Sequence, residues 1–208
     1  MLYMILKFVS LIKKTIVHHI YKTKGIILSD FDRSESNKVY YILTRDFGVL
    51  AVYAQSVRKL KSKLKYSLQS GTLSSIDMVR GKEMWRVTSA EFESGLLVHT
   101  NKKKIDLAFR VFALIRRFNH GEGRNTGLFD TVLQSLEFLK KTQSPDSLQA
   151  LEILTNLRIL HRLGYGANDK ELQKFLGDGF DEKIFLSFAD HKQNALNWIN
   201  KALRESHL

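Results

Sequence analysis

The sequence has no cysteine and a single proline among its 208 residues. Without cysteine, the chain forms no disulfide, offers no thiolate ligand to zinc or to an iron–sulfur cluster, and has no cysteine nucleophile. Hydrophobic residues nevertheless make up 44% of the chain. That share is enough for one large domain or two small ones to bury a core without covalent crosslinks.

Long apolar runs are also missing. The most apolar stretch, residues 1–17, is interrupted by Lys7, Lys13 and Lys14, well short of the ~20 residues that a membrane-spanning helix needs. It does not follow the pattern of a secretory signal either. We therefore expect a cytoplasmic protein with no membrane partner, in which residues 1–19 form an N-terminal extension, packed or disordered in preference to a membrane-surface anchor. Translation from Val17 is an alternative that intact mass would test.

Acidic residues are scarce in the first half of the chain. Residues 1–104 carry 19 Lys and Arg against 8 Asp and Glu, whereas residues 105–208 carry 14 against 13. Most of the formal net charge of +12 therefore belongs to the first half. A polyanion such as nucleic acid is expected to bind there, with an anionic membrane surface as the competing explanation.

Short β-branched and aromatic runs separated by turn residues predict a small antiparallel barrel over residues 20–95. Two connections, residues 46–48 and 80–82, are tight, and their glycines are expected to supply a positive φ. The connection at residues 57–70 is longer and strongly basic. The five predicted strands are residues 20–29, 38–45, 49–56, 72–80 and 83–91.

The apolar spacing becomes helical after Asn101, with Ile105, Ala108, Phe109 and Phe112 on one predicted inward face. Residues 105–208 are therefore predicted to form a helical domain. The fold class is α+β, an N-terminal five-stranded barrel followed by an all-helical C-terminal domain. After the first helix, the predicted helices are residues 128–142, 145–164, 170–176 and a single long helix at 182–204.

Several segments resemble, in the right order, those of the RecO family of recombination mediators. The resemblance covers residues 20–176, and no single segment decides it. Many family members carry four zinc-binding cysteines after a Leu-Gly-Tyr turn, but residues 166–179 here contain none. The chain therefore resembles a short member without that zinc site. The segments that carry the resemblance are residues 21–28, 34–36, 39–44, 45–48, 54–64, 84–85, 88–91 and 157–165, with Asn125, Leu128 and Phe129.

The resemblance implies that the five-stranded N-terminal barrel is an OB-fold. It also implies a protein of DNA repair and homologous recombination in the bacterial cytoplasm, associated with the nucleoid. Such a protein binds single-stranded DNA, anneals complementary strands coated by single-stranded DNA-binding protein, and acts with RecR to load RecA. It is not an enzyme and needs no cofactor. Its helical domain is expected to hold partner proteins, with the single-stranded DNA-binding protein in an apolar groove between helices.

An OB-fold binds single strands by combining cations that follow phosphates with aromatic faces on which bases stack. The densest cationic cluster is the loop with Arg58, Lys59, Lys61, Lys63 and Lys65. The aromatic candidates are Tyr40, Tyr41, Tyr53, Tyr66 and Trp85, of which only one or two are expected to contact bases because strand aromatics often face the core. The predicted DNA-binding residues are Arg58, Lys59, Lys61, Lys63, Lys65, Lys38, Arg45, Arg80, Lys82, Arg86, Tyr53 and Trp85.

Two other function classes remain open. Residues 30–34 resemble the nucleophile motif of haloacid dehalogenase-type phosphatases, with Asp30 as nucleophile and Asp32 as acid/base, and Asp178 and Asp181 resemble their magnesium ligands. That fold needs strands alternating with helices, which residues 36–92 do not show, so turn positions are the plainer explanation. A generic RNA- or DNA-binding OB module, or one bound to a membrane surface, would share the basic charge.

Overall fold

A computed structural model of the chain describes residues 19–59, 62–118, 121–166 and 169–206. The predictions for residues 1–18 and for Lys61 lie outside these ranges. Strands come first and helices follow, with an extra short helix in the basic loop. The elements are β1 Ile20–Asp32, β2 Lys38–Thr44, β3 Gly48–Ala54, α1 Leu64–Ser67, β4 Thr72–Arg80, β5 Trp85–Gly95, α2 Lys102–Phe118, α3 Thr126–Lys141, α4 Pro145–Arg162, α5 Lys170–Gln173, α6 Glu182–Phe188 and α7 Lys192–Glu205.

The five strands close into a barrel in the order β1-β2-β3-β5-β4, and β4 pairs again with β1. Neighbouring strands are antiparallel except β3 and β5, which pair in parallel with Val52 opposite Trp85 and Tyr53 opposite Arg86. Alternate side chains such as Ile27 and Val52 fill the barrel interior. The predicted fold class, a five-stranded OB-fold barrel followed by helices, is confirmed.

A β-bulge reverses the side-chain alternation near the end of β1. Ile27 points into the barrel core, and the register against β2 shifts between Ile27 and Ser29. Ser29 consequently lies opposite Tyr41, whose ring packs against the helical side of the barrel. Phe31, two residues further on, shares that outward face. β1 then continues to Asp32, three residues beyond its predicted end.

The two tight hairpins depend on glycine for different reasons. Gly48 between β2 and β3 has a φ of +71°, as predicted. Gly81 between β4 and β5 does not have a positive φ, so that part of the prediction is wrong. A Cβ atom at Gly81 would lie 2.6 Å from the carbonyl oxygen of Met84. Close approach of the backbone, and not its φ angle, therefore favours glycine there.

The barrel and the helices share a hydrophobic core. Ile26, Leu43 and Val49 on the outer face of the barrel belong to the same buried cluster as Val111 and Phe112 of α2. The predicted segments 20–95 and 105–208 therefore pack into one body across this cluster. A second core lies within the helices and is formed by Leu154, Leu157, Leu172, Phe175, Phe188 and Ile199, among others.

Two predictions about the helices are wrong. Residues 182–204 do not form one helix, because a 3-10 turn at Ala189–His191 separates α6 from α7. Phe188, at the end of α6, is buried in the second core, so the chain turns where that side chain enters the core. Phe109 is exposed and does not join the inward face of α2. Among the described residues, no helix is long and apolar enough to cross a membrane.

Candidate nucleic-acid interface

A groove lies on the outer surface of the barrel between the β1–β2 loop and the β4–β5 hairpin. Because Val52 and Trp85 point into the barrel, their neighbours Tyr53 and Arg86 point outwards, side by side where β3 pairs with β5. The groove has a volume of about 490 Å³. We call it the hairpin groove, and it is lined by Arg33, Ser34, Asn37, Tyr53, Gly81, Lys82, Glu83, Met84 and Arg86.

Three cations give the hairpin groove a positive charge. Arg33, Lys82 and Arg86 are exposed and form no ion pair within the part of the chain that the structure describes. Glu83 is the acidic side chain among the lining residues, and half-buried Tyr53 supplies an aromatic face. The groove therefore combines cationic groups for phosphates with a ring on which a base can stack.

The basic loop, residues 57–70, is attached to the wall of this groove. The side-chain oxygen of Asn37, which lines the groove, accepts a hydrogen bond from the Ser56 amide at 2.8 Å. The Arg58 amide donates to the carbonyl oxygen of Ser36 at 3.2 Å. These bonds hold the start of the loop beside the groove. The loop's exposed side chains in the described residues include Lys59, Lys63, Lys65 and Tyr66, whereas Lys61 lies outside them.

Lys38 and Arg58 are engaged by carboxylates at the mouth of the barrel. Lys38 Nζ binds a carboxylate oxygen of Asp30 and lies 3.6 Å from Asp32, while Arg58 lies 3.0 Å from Asp32. The hydrogen bond to Asp30 is the main reason that the pKa of Lys38 is raised. Burial, and then the charges of the two carboxylates, raise the pKa of Tyr40. These two cations are therefore less available to phosphate than Lys59, Lys63 or Lys65.

The same contacts argue against the phosphatase interpretation. Asp30 and Asp32 lie at the end of a strand, not in a turn, and each is paired with a cation. Asp178 belongs to the helical region and lies 2.7 Å from Arg162. The closed barrel also lacks the parallel sheet with alternating helices that such a phosphatase requires.

Trp85 is a core residue and not a surface platform. It is 5% exposed, and its ring packs against Tyr21 and Phe47 at centroid distances of 5.0 Å and 5.5 Å. Its indole N–H donates to Glu122, in the α2–α3 connection, at 2.9 Å. Arg80 lies 3.5 Å from the same carboxylate and 5.6 Å from the centre of the indole ring. Tyr53, and not Trp85, is therefore the predicted aromatic residue with a partly exposed ring in the groove.

The remaining predicted residue, Arg45, lies elsewhere. It follows the far end of β2, about 20 Å from Lys38 at the usual rise per strand residue. There it lines a separate cleft with Lys22, Lys24 and Arg124. The structure thus brings together Tyr53, Lys82 and Arg86, with the basic loop beside them.

Sequence analysis missed Arg33, Asn37 and Met84 in the groove. The signal available for them was their position in the β1–β2 and β4–β5 connections, the two that OB-folds use for nucleic-acid binding.

Comparison with known proteins places this barrel in a family. The family model described as "Recombination protein O N terminal" matches residues 18–96, which contain all five strands. The chain is similar to the DNA repair protein RecO of Dehalococcoides mccartyi, with 30% identity over 157 residues, which are 75% of this chain and 60% of that protein. The chain belongs to the RecO family. It spans little more than half the length of the curated RecO proteins that it matches.

Other RecO proteins show the same relationship at lower identity. The DNA repair protein RecO of Halalkalibacterium halodurans is 26% identical over 129 residues, 62% of this chain and 51% of the relative. That of Chlorobium phaeobacteroides is 28% identical over 151 residues, 70% of this chain and 56% of the relative. These relatives carry the name DNA repair protein, and the present chain, which contains no cysteine, is similar to them over part of their length.

Proposed function

We propose that this RecO-family chain binds single-stranded DNA in the hairpin groove and along the basic loop, without enzymatic chemistry and without a cofactor. One observation supports this most directly. The groove lies between the β1–β2 loop and the β4–β5 hairpin, the two loops with which OB-folds bind oligonucleotides. Three cations there, Arg33, Lys82 and Arg86, have no ion pair among the described residues.

In this proposal the cations follow the phosphates, and one base stacks on Tyr53. Stacking of a base on an aromatic side chain contributes about 1–3 kcal/mol. Contacts of this kind leave the base-pairing edges free, and they neutralise part of the charge that repels a second strand. The protein would therefore promote annealing of complementary strands without nucleotide hydrolysis.

The proposed partners are single-stranded DNA-binding protein, RecR and, indirectly, RecA. A groove of about 660 Å³ between α3, α4 and α6 is the candidate surface for the first of these. Its lining includes Phe138, Ala150 and Phe185, and Leu186 at its edge is 78% exposed. We call it the helical groove. An exposed leucine beside partly buried aromatic rings is a suitable contact for an apolar peptide segment.

Binding of a labelled oligonucleotide, measured by fluorescence anisotropy at several salt concentrations, tests the DNA proposal. The logarithm of the association constant falls with that of salt by about 0.7 per neutralised phosphate on single strands. Replacing Arg33, Lys82 and Arg86 by alanine should weaken binding and make this slope shallower by about 2. The matched control replaces Lys170, Lys183 and Arg204, exposed cations of the helical region. Equal losses in both triple variants, or no binding by the wild type, would contradict the proposal.

Annealing of two complementary strands, naked or coated with single-stranded DNA-binding protein, separates the DNA and partner proposals. The groove variant should lose activity on both substrates. Leu186→Ser should lose it on coated strands only, because its substitution leaves the barrel unchanged. Replacing the strands by RNA of the same sequence distinguishes a DNA-specific protein from a general OB-fold module. Retention of activity by Leu186→Ser on coated strands would exclude the helical groove.

A further inference from the structure

Four residues on the outer face of the barrel lie directly opposite one another across four strands, and three of them, Phe31, Tyr53 and Arg86, are at least partly exposed, whereas the fourth, Val39, is buried. Phe31 of β1 pairs with Val39 of β2, Val39 pairs with Tyr53 of β3, and Tyr53 pairs with Arg86 of β5. Residues in such register share one face of the sheet. We call these four residues the cross-strand row. Its far end, at Tyr53 and Arg86, is part of the hairpin groove.

Phe31 is exposed because of the bulge in β1. Without the register shift between Ile27 and Ser29, residue 31 would have the same inward direction as Ile27. The bulge instead turns Phe31 outwards, where it is 46% exposed, and turns Asp30 towards the barrel mouth and its ion pair with Lys38. β-Bulges are known to redirect side chains in this way next to functional sites.

The helical region adds a cation beside Phe31. The Phe31 and Tyr41 rings are 6.1 Å apart, centroid to centroid. The guanidinium of Arg116, on α2, lies 4.3 Å from the centre of the Tyr41 ring. Arg116 forms no ion pair within the described residues. The Arg116 guanidinium therefore contacts the Tyr41 ring while the Arg116 side chain remains exposed to solvent.

We propose that the single-stranded DNA path continues from the hairpin groove along the cross-strand row, over Phe31, to Arg116 of α2. A base stacks on Phe31, and a phosphate is bound by Arg116. This inference rests on the proposed function and adds residues of β1 and of the helical region to the same site. The helices thereby contact the nucleic acid directly, in addition to holding partners.

The chemistry of the row favours a nucleic acid over a protein partner. Arg86 is the cation at one end of the row, and Arg116 lies over Tyr41, whose ring neighbours Phe31 at the other end. Phe31 and Tyr53 are two strand spacings apart, about 9.6 Å, so that they can receive separate bases of one strand. Alternating charge and rings without base-specific groups is the usual composition of a single-strand channel.

The test compares Phe31→Ala and Arg116→Ala with Phe92→Ala, which removes a similarly exposed ring from β5 outside the row. A long oligonucleotide of about 16 nucleotides is used, the upper end of the range of OB-fold site sizes. Phe31→Ala should bind it roughly 5- to 100-fold more weakly, the equivalent of one lost stack. Arg116→Ala should also bind it more weakly, with a salt slope shallower by about 0.7, the equivalent of one lost phosphate contact. Phe92→Ala should bind it as the wild type does.

Two further measurements identify the contacts. Phe31→Tyr should restore binding because it keeps the ring. A long oligonucleotide that lacks bases should bind Phe31→Ala and the wild type equally, because there is no base to stack on Phe31. Arg116→Ala should still weaken binding of that abasic strand, because its contact is to phosphate. If the wild type binds the long oligonucleotide and Phe31→Ala and Arg116→Ala both bind it as tightly as Phe92→Ala, the proposed path is overturned. The proposal for the hairpin groove is then unaffected. Absence of wild-type binding would overturn the proposed function itself. A loss by Phe31→Ala on abasic strands as well would assign the ring a structural role and exclude stacking.

Discussion

Arg158 is a buried arginine without a direct ion pair among the described residues. It is 2% exposed, and its guanidinium donates to the carbonyl oxygens of Phe175 at 2.7 Å and Gly179 at 2.5 Å. The same group lies 4.5 Å from the centre of the Phe180 ring. Burial lowers the pKa of Arg158 to about 10, so the side chain remains charged at neutral pH. Arg158 therefore satisfies two backbone carbonyl oxygens of the segment between α5 and α6.

Arg158→Met should lower the free energy of unfolding by about 2–5 kcal/mol, because two buried carbonyl oxygens lose their donor. Urea denaturation followed by circular dichroism measures the change. Arg204→Met, at an exposed position of α7, is the control and should alter stability by no more than about 0.5 kcal/mol. Similar stabilities for the two variants would show that the carbonyl contacts of Arg158 contribute little.

At the scale of elements, the β2–β3 hairpin touches the connection between α2 and α3. Gly48 has a φ of +71°, and a Cβ atom there would lie 2.3 Å from the carbonyl oxygen of Gly123. The Gly123 amide donates to the carbonyl of Phe47 at 3.2 Å. The turn and the connection are thus packed backbone against backbone, which leaves no room for a side chain at Gly48.

Gly48→Ala should therefore destabilise the protein by about 2–4 kcal/mol, through the left-handed φ angle and the clash together. The measurement is again urea denaturation. Gly177→Ala is the matched control, since a Cβ atom there would meet nothing within 4 Å and the φ of Gly177 is not positive. The control should be neutral or stabilising by up to about 1 kcal/mol. If both substitutions are neutral, the contact with Gly123 does not constrain the hairpin.

Some features of the helices and strands could be predicted from the sequence, whereas others could not, because they depend on residues that are distant along the chain. The positions of the five strands, the two tight hairpins and the change to helices followed from short-range signals, such as turn glycines and apolar spacing, whereas the parallel pairing of β3 with β5 did not. The exposure of Phe31 did not, because a bulge depends on pairing between strands. The burial of Trp85 depends on Glu122, 37 residues away, and the break after α6 depends on where Phe188 enters the core. The basic loop was predicted from composition alone, whereas Arg33 joined the groove through the fold.

At the scale of the whole molecule, the barrel has apolar residues on both its inner and outer faces. Ile26 and Leu43 point away from the barrel interior and into the cluster that contains Phe112. Separation of the barrel from the helices would expose this surface to water, at roughly 25 cal/mol for each Å² of apolar area. The Glu122 carboxylate, in the α2–α3 connection, adds polar contacts to the barrel by accepting a hydrogen bond from Trp85 and pairing with Arg80. The DNA path and the helical groove thus belong to one packed body.

The two halves should consequently unfold in a single transition. Trp198→Phe leaves Trp85 as the one tryptophan of the chain, so its fluorescence reports on the barrel while far-ultraviolet circular dichroism reports mainly on the helices. The two probes should give the same midpoint in urea, because the barrel cannot keep its outer face buried once α2 has melted. Circular dichroism of the wild type checks that Trp198→Phe itself has not altered the transition. An earlier loss of helical signal, with Trp85 still buried, would show that the barrel is stable alone and that the shared cluster contributes little to it.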